Sequence, residues 1–142
     1  MDKPTFRPQG SVYSAPGMSS KTGAIAKKLG ATGVFLVTDK MLIKIGLAAD
    51  IIASIQNAGL QCKVFDGVMP NPTVSCINEG IRQLQTMADD TIVVTLGGGS
   101  VLDCGKSIAV ISAQEKGGDV RDYYGRCPHH HRPRPVLPTE RA

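Results

Sequence analysis

Three short apolar runs, Gly33-Val34-Phe35-Leu36-Val37-Thr38, Leu60-Gln61-Cys62-Lys63-Val64-Phe65 and Thr91-Ile92-Val93-Val94-Thr95-Leu96, alternate along the chain with stretches of helical periodicity. This alternation constrains the fold more than any other feature, because strands in series with helices assemble into a parallel sheet with right-handed crossovers. The first and third runs are nearly free of polar residues, as in strands buried on both faces. The second alternates apolar with polar residues and is expected nearer the sheet edge. The fold class expected is therefore α/β, a parallel doubly wound (Rossmann-like) sheet. A length of 142 residues holds one such domain and leaves no room for a second full one.

Between the strands, Ser19 and Ser20 precede a short helix with Ile25, Ala26 and Leu29 at helical spacing and Gly30 as its stop. After Asp39, the residues Ile43, Leu47, Ile51, Ile52 and Ile55 keep a helical period up to Ala58-Gly59, which reads as one helix. The loop Asp66-Gly67-Val68-Met69-Pro70-Asn71-Pro72 is stiffened by two prolines. Thr73 is placed to cap a helix with Ile77, Ile81, Leu84 and Met87 inward, ending at Ala88-Asp89-Asp90. A last helix is expected from Val101 to about Ala113. Ahead of all of these, FRPQGSVYSAP, between Phe6 and Pro16, has the look of an edge strand or hairpin arm.

The formal charge of +4 does not point to nucleic acid, since much of the excess comes from Arg121, Arg126, Arg132, Arg134 and Arg141, and the rest of the chain is roughly neutral. Cys62, Cys76, Cys104 and Cys127 show no CxxC pair or zinc-finger spacing and read as reduced thiols. The opening MDKPTFRPQG lacks an apolar signal sequence, and no apolar stretch approaches the roughly 20 residues of a membrane span. A cytoplasmic location, without nucleic-acid or membrane partners, is the expectation.

In an open α/β sheet, ligands bind beyond the carboxyl ends of the strands, where loops and helix N-termini converge. Those ends carry Asp39, the Pro70-Asn71-Pro72 loop and Gly97-Gly98-Gly99-Ser100. The glycines join a strand to a helix, so the backbone can come close to a ligand and unpaired amides can face a phosphate. The spacing is neither a Walker motif nor GxGxxG, and a tight turn without ligand is the alternative. Asp39 can accept from a ribose hydroxyl and repel a 2′-phosphate, favouring NAD over NADP, or it can be a helix-start aspartate facing the helix dipole. Asp103 and Lys106 share a helix face, where a surface ion pair is the plainer account. His129, His130 and His131 are adjacent, cannot all face one ion from a regular element, and read as tail.

Taken together, Thr38-Asp39-Lys40, Asp66-Gly67-Val68, Pro70-Asn71-Pro72-Thr73 and the run Gly97-Gly98-Gly99-Ser100-Val101-Leu102-Asp103-Cys104-Gly105-Lys106 resemble, in order and spacing, the N-terminal domain of the iron-containing (group III) alcohol dehydrogenases. The likeness covers roughly Phe6 to Gly125. It implies that Gly97, Gly98, Gly99 and Ser100 cradle the pyrophosphate of NAD, that Asp39 meets the adenosine ribose, that Asn71 lines the cleft, and that Asp103 and Lys106 stand near it. The family's reaction is hydride exchange between a nicotinamide and a primary alcohol or aldehyde, with a divalent metal, usually Fe²⁺, polarising the substrate oxygen.

By the same resemblance the metal ligands, one Asp and three His, belong to a helical second domain that no part of this sequence matches. Catalytic and metal-binding residues are therefore expected to be absent, and residues 1–125 to form the NAD-binding domain, with 126–142 an irregular tail rich in Arg, Pro and His. After Gly125 the sequence RCPHHHRPRPVLPTERA departs from the family pattern, and only Pro138-Thr139 echoes it. A frameshifted or truncated product of a longer dehydrogenase gene is the expectation. The alternatives are a non-catalytic nucleotide-binding module, or an inactive fragment not stably folded alone, which self-associates through an exposed apolar face.

Overall fold

The structure is a computed structural model that describes residues 14–115; the Arg- and His-rich stretch from 121 onward, Cys127, and all but the last three residues of the segment from Phe6 to Pro16 lie outside them. Three parallel strands, β1 (Gly33–Val37), β2 (Gln61–Phe65) and β3 (Ile92–Thr95), form a sheet in the order β2-β1-β3. The register pairs Val34 with both Cys62 and Ile92, and Val37 with Phe65 and Thr95. Every residue of β1 is buried, as its unbroken apolar sequence requires. β2 occupies one edge, in keeping with its alternating pattern, while β3 is only half-buried because it forms the other edge of the described sheet.

Helices cover both faces. On one, α1 (Thr22–Lys28) and α3 (Leu47–Asn57) bring Ala26, Ile51 and Ile55 against Val34 and Leu36. On the other, α4 (Val74–Leu84) and α5 (Gly99–Glu115) pack Ile81, Leu84, Val101, Cys104 and Ile108 against Phe35, Val37 and Phe65. The alternation of β1 side chains between these clusters, odd residues to one and even to the other, is the period of a strand covered on both sides. Met87 is buried as expected, although α4 has already ended at Leu84 and a turn carries the chain to it.

Two boundaries differ from the sequence expectation. The helix read as continuous from Ile43 to Ala58 is two, α2 (Lys40–Lys44) and α3, separated at Gly46. There the backbone takes φ 85°, the Gly46 amide closes α2 on the Ile43 carbonyl at 3.0 Å, and the Gly46 carbonyl receives the Ala49 amide. Apolar spacing alone does not register a break in which one glycine ends one helix and opens the next. The second difference is that α5 starts at Gly99, two residues before the position expected, so part of the glycine run is already helix. The first helix is also preceded by a 3-10 turn over Met18–Lys21, which includes Ser19 and Ser20.

Candidate nucleotide-binding site

The strand order places a topological switch point between β1 and β3. The chain leaves β1 toward β2 on one side and returns from β2 to β3 on the other, so the loops after β1 and β3 part and leave a crevice. Asp39 follows β1 and Gly97 follows β3. Thr38, wholly buried, ties the two ends together: its Oγ1 donates to the Leu96 carbonyl at 2.8 Å, and the Leu96 amide donates to the Val37 carbonyl at 2.9 Å. The residues immediately after this clamp are the two that the sequence reading selected.

At the glycine turn, Gly97 has φ 152°, and a Cβ there would lie 2.7 Å from Val101 Cγ2, so position 97 admits only glycine. A Cβ on Gly98 or Gly99 would meet nothing within 4 Å, and residues 97–100 are exposed. These two glycines are therefore not needed by the internal packing. What they leave is an open, side-chain-free surface over the start of a 17-residue helix. Leu102 donates to the Gly98 carbonyl at 3.0 Å, so the amides ahead of it in the first turn have no carbonyl of the helix to bond. No acidic residue occupies that turn to neutralise its positive end.

Asp39 is half-buried and caps α2, its Oδ1 accepting from the Leu42 amide at 2.8 Å. The helix-start role weighed from the sequence is thus present, and it uses one carboxylate oxygen. Asp39 also forms an isolated antiparallel bridge with Gly67, which draws the base of the loop after β2 beside the end of β1. Asn71 stands farther along that loop, exposed and with φ 57°, a left-handed conformation that asparagine tolerates. No hydrogen bond among the described residues ties its side chain to Asp39 or the glycines. Thr73 caps α4 as expected, accepting from the Cys76 amide at 3.2 Å.

Asp103 and Lys106 are both exposed on α5, and no ion pair joins them among the described residues, contrary to the plainer reading of their spacing. Sequence reasoning gave no role to Thr38, Gly67 or Gly105. Gly105 is buried, and a Cβ there would lie 2.2 Å from Thr95 Cγ2, so its lack of a side chain lets α5 lie directly on β3. An isolated glycine inside a helical pattern is the signal that could have marked it. Among the described residues no group of three or more His, Cys, Asp or Glu side chains could hold a metal ion, and no helix is long and apolar enough to cross a membrane.

The family model described as iron-containing alcohol dehydrogenase matches residues 9–139, running past Gly125 into the tail. Lactaldehyde reductase of Escherichia coli is 35% identical over 111 residues, 78% of this chain and 29% of that protein. The 1,3-propanediol dehydrogenase of Citrobacter freundii is 38% identical over 115 residues, 80% of this chain and 29% of that one. In structure, the NADH-dependent butanol dehydrogenase A of Thermotoga maritima superposes with a TM-score of 0.70 at 27% identity, covering 87% of this chain and 31% of that one. This chain therefore spans a little under a third of the length of the proteins it matches, and corresponds to their N-terminal part. With the switch-point crevice, the open glycine turn and these likenesses in hand, the chain belongs to the iron-containing alcohol dehydrogenase family.

Proposed function

We propose that this chain is the NAD-binding part of an alcohol dehydrogenase. The observation that carries the proposal is the turn after β3, where Gly98 and Gly99 leave a surface open above a helix N-terminus at the switch point. Gly97 sets the turn, the amides of Gly99 and Ser100 receive the pyrophosphate, and Asp39 receives the adenosine ribose on the carboxylate oxygen that α2 does not use. Asn71 lines the cleft from the loop after β2, with Asp103 and Lys106 along the exposed side of α5. The name of the NADH-dependent relative supports the choice of nicotinamide cofactor.

NAD, when bound, supplies the hydride acceptor for a primary alcohol, and the reverse reaction reduces an aldehyde. The described residues contribute binding and orientation to that reaction. They do not fit the Fe²⁺ of the family, and no catalytic step through a metal is assigned to them. Alcohol oxidation by this chain alone is accordingly not expected, and residues 1–125 are proposed as the nucleotide-binding unit, with 126–142 as a tail. Exposed apolar side chains at Met41, Ile45, Leu47, Met69 and Val74 support self-association of the isolated chain.

Calorimetric titration of NAD and NADP tests the reading. NAD is expected to bind saturably and NADP at least tenfold more weakly, a difference of ~1.4 kcal/mol. Asn caps helices as well as Asp does, so Asp39→Asn keeps the α2 cap while removing the charge that opposes a 2′-phosphate. The variant is expected to fold normally and to lose most of its discrimination. Equal affinity for both dinucleotides in the unaltered chain would remove Asp39 from the site.

A further inference from the structure

α4 and α5 lie side by side on one face of the sheet, following parallel strands, and so run in the same direction. Between them Gly80 leaves a space that Ile108 fills, since a Cβ there would stand 2.3 Å from Ile108 Cδ1. One helical turn toward the N-terminus on α4 is Cys76, and one turn toward the N-terminus on α5 is Cys104. The two thiols therefore lie in the same register, one turn from the contact between Gly80 and Ile108. Cys76 packs against the core cluster that contains Cys104, each thiol lies close enough for Cys76 to raise the proton affinity of Cys104, and the Cys76 thiol donates to the Gly67 carbonyl at 3.1 Å. Cys104 is buried and Cys76 half-buried, so only Cys76 is open to a dissolved reagent.

We propose that Cys76 and Cys104 are an oxidisable thiol pair, converted to a disulfide by a peroxide. The half-exposed Cys76 thiolate attacks hydrogen peroxide, the O–O bond breaks, and a sulfenic acid and hydroxide form. Cys104 then attacks Cys76 Sγ, the S–O bond breaks, and the hydroxide that leaves and the one released earlier take up the two thiol protons. The sum is two thiols and one peroxide giving one disulfide and two waters. A disulfide needs its Cβ atoms about 3.5–4.5 Å apart, and the missing side chain of Gly80 lets α5 pack close against α4 one turn away. Once formed, the bond ties the start of α4 to α5 one turn after the glycine run and withdraws the thiol donor from Gly67.

Burial, and then the neighbouring Cys76 thiol, push Cys104 up to about 12, so its proton is hard to remove. The second step is therefore the slow one and accelerates as pH rises.

The test is to treat the full chain with hydrogen peroxide, alkylate the remaining thiols, digest without reductant, and read the peptides by mass spectrometry. A peptide pair joined through Cys76 and Cys104, reversed by dithiothreitol, with Cys62 and Cys127 still alkylated, is the expected result. In Cys104→Ala the reaction stops at Cys76, which a 1,3-diketone probe traps as sulfenic acid, and a circular-dichroism spectrum confirms the variant is folded. Both thiols remaining alkylatable at peroxide doses that oxidise Cys62, or linkage only between chains or to Cys127, overturns the pairing. The outcome is independent of whether the chain binds a nucleotide.

Discussion

Gly23→Ala is expected to destabilise the domain by about 3 kcal/mol, although alanine is intrinsically the better helix former by up to ~1 kcal/mol. Gly23 lies in the first turn of α1, where that helix crosses α3. A Cβ added there would stand 2.0 Å from the Ser54 carbonyl oxygen and 2.5 Å from its carbon. Both are backbone atoms of α3, so no side-chain rotation relieves the collision and the helices must part. Parting them also breaks a small hydrogen-bonded joint: the Gly23 amide donates to Ser54 Oγ at 2.9 Å, and Ser54 Oγ–H donates to the Ser20 carbonyl at 2.6 Å. Each bond contributes about 1 kcal/mol net. For a domain of this size a loss of about 3 kcal/mol lowers the melting temperature by roughly 10–15 °C. Gly30→Ala is the comparison variant. Its φ is 80° but a Cβ would meet nothing within 4 Å, so only backbone strain of order 1 kcal/mol applies. Equal melting temperatures for Gly23→Ala and the unaltered chain would mean that α1 and α3 are not in this contact.

Gly23 also marks where reading the sequence stops. The strands, their relative burial and the doubly wound arrangement follow from local composition, because a strand buried on both faces must be apolar throughout and an edge strand need not be. The positions of Asp39 and the glycine run follow as well, since strand ends define the ligand side of such a sheet. The collision partner of Gly23 is 31 residues away, and nothing near it in sequence distinguishes it from a helix-weakening glycine. The same holds for Gly80 against Ile108, whereas Gly105 stands out as a lone glycine in a helical pattern although its partner, Thr95, does not. All three are small because something distant needs the space.

Gly46 was illegible for a different reason. The apolar period carries across it without a shift, and only its left-handed backbone separates α2 from α3. Thr38 was readable as the last residue of a strand but not as a clamp, because its partner, the Leu96 carbonyl, is a backbone atom whose position depends on the strand order. In the candidate site, the sequence offers Asp39 two alternative roles, and the structure shows the helix-start one: the cap uses Oδ1, and no hydrogen bond to Oδ2 is seen among the described residues. A surface ion pair is the plainer account of the Asp103 and Lys106 spacing, but both are exposed and no ion pair joins them among the described residues. Three-residue spacing makes a pair available, and the weak energy of an exposed pair does not compel it.

Gly98→Val is expected to leave the fold intact and to weaken NAD binding at least 100-fold, about 2.7 kcal/mol. The two halves of this expectation rest on the same observation. Gly98 has no positive φ and a Cβ there meets nothing within 4 Å, so the protein itself has no use for the missing side chain. A branched side chain at 98 projects into the space above the first turn of α5, where the pyrophosphate would have to approach the amides. Gly97→Val does not separate these effects, since it combines a φ of 152° with a Cβ 2.7 Å from Val101 and would disturb the turn whether or not a ligand binds there. The measurement is a paired one, NAD titration and thermal melting of Gly98→Val beside the unaltered chain. Unchanged melting with lost binding assigns the turn to the cofactor. Unchanged melting with unchanged binding removes the pyrophosphate from it and leaves Gly98 without a function, because internal packing supplies none.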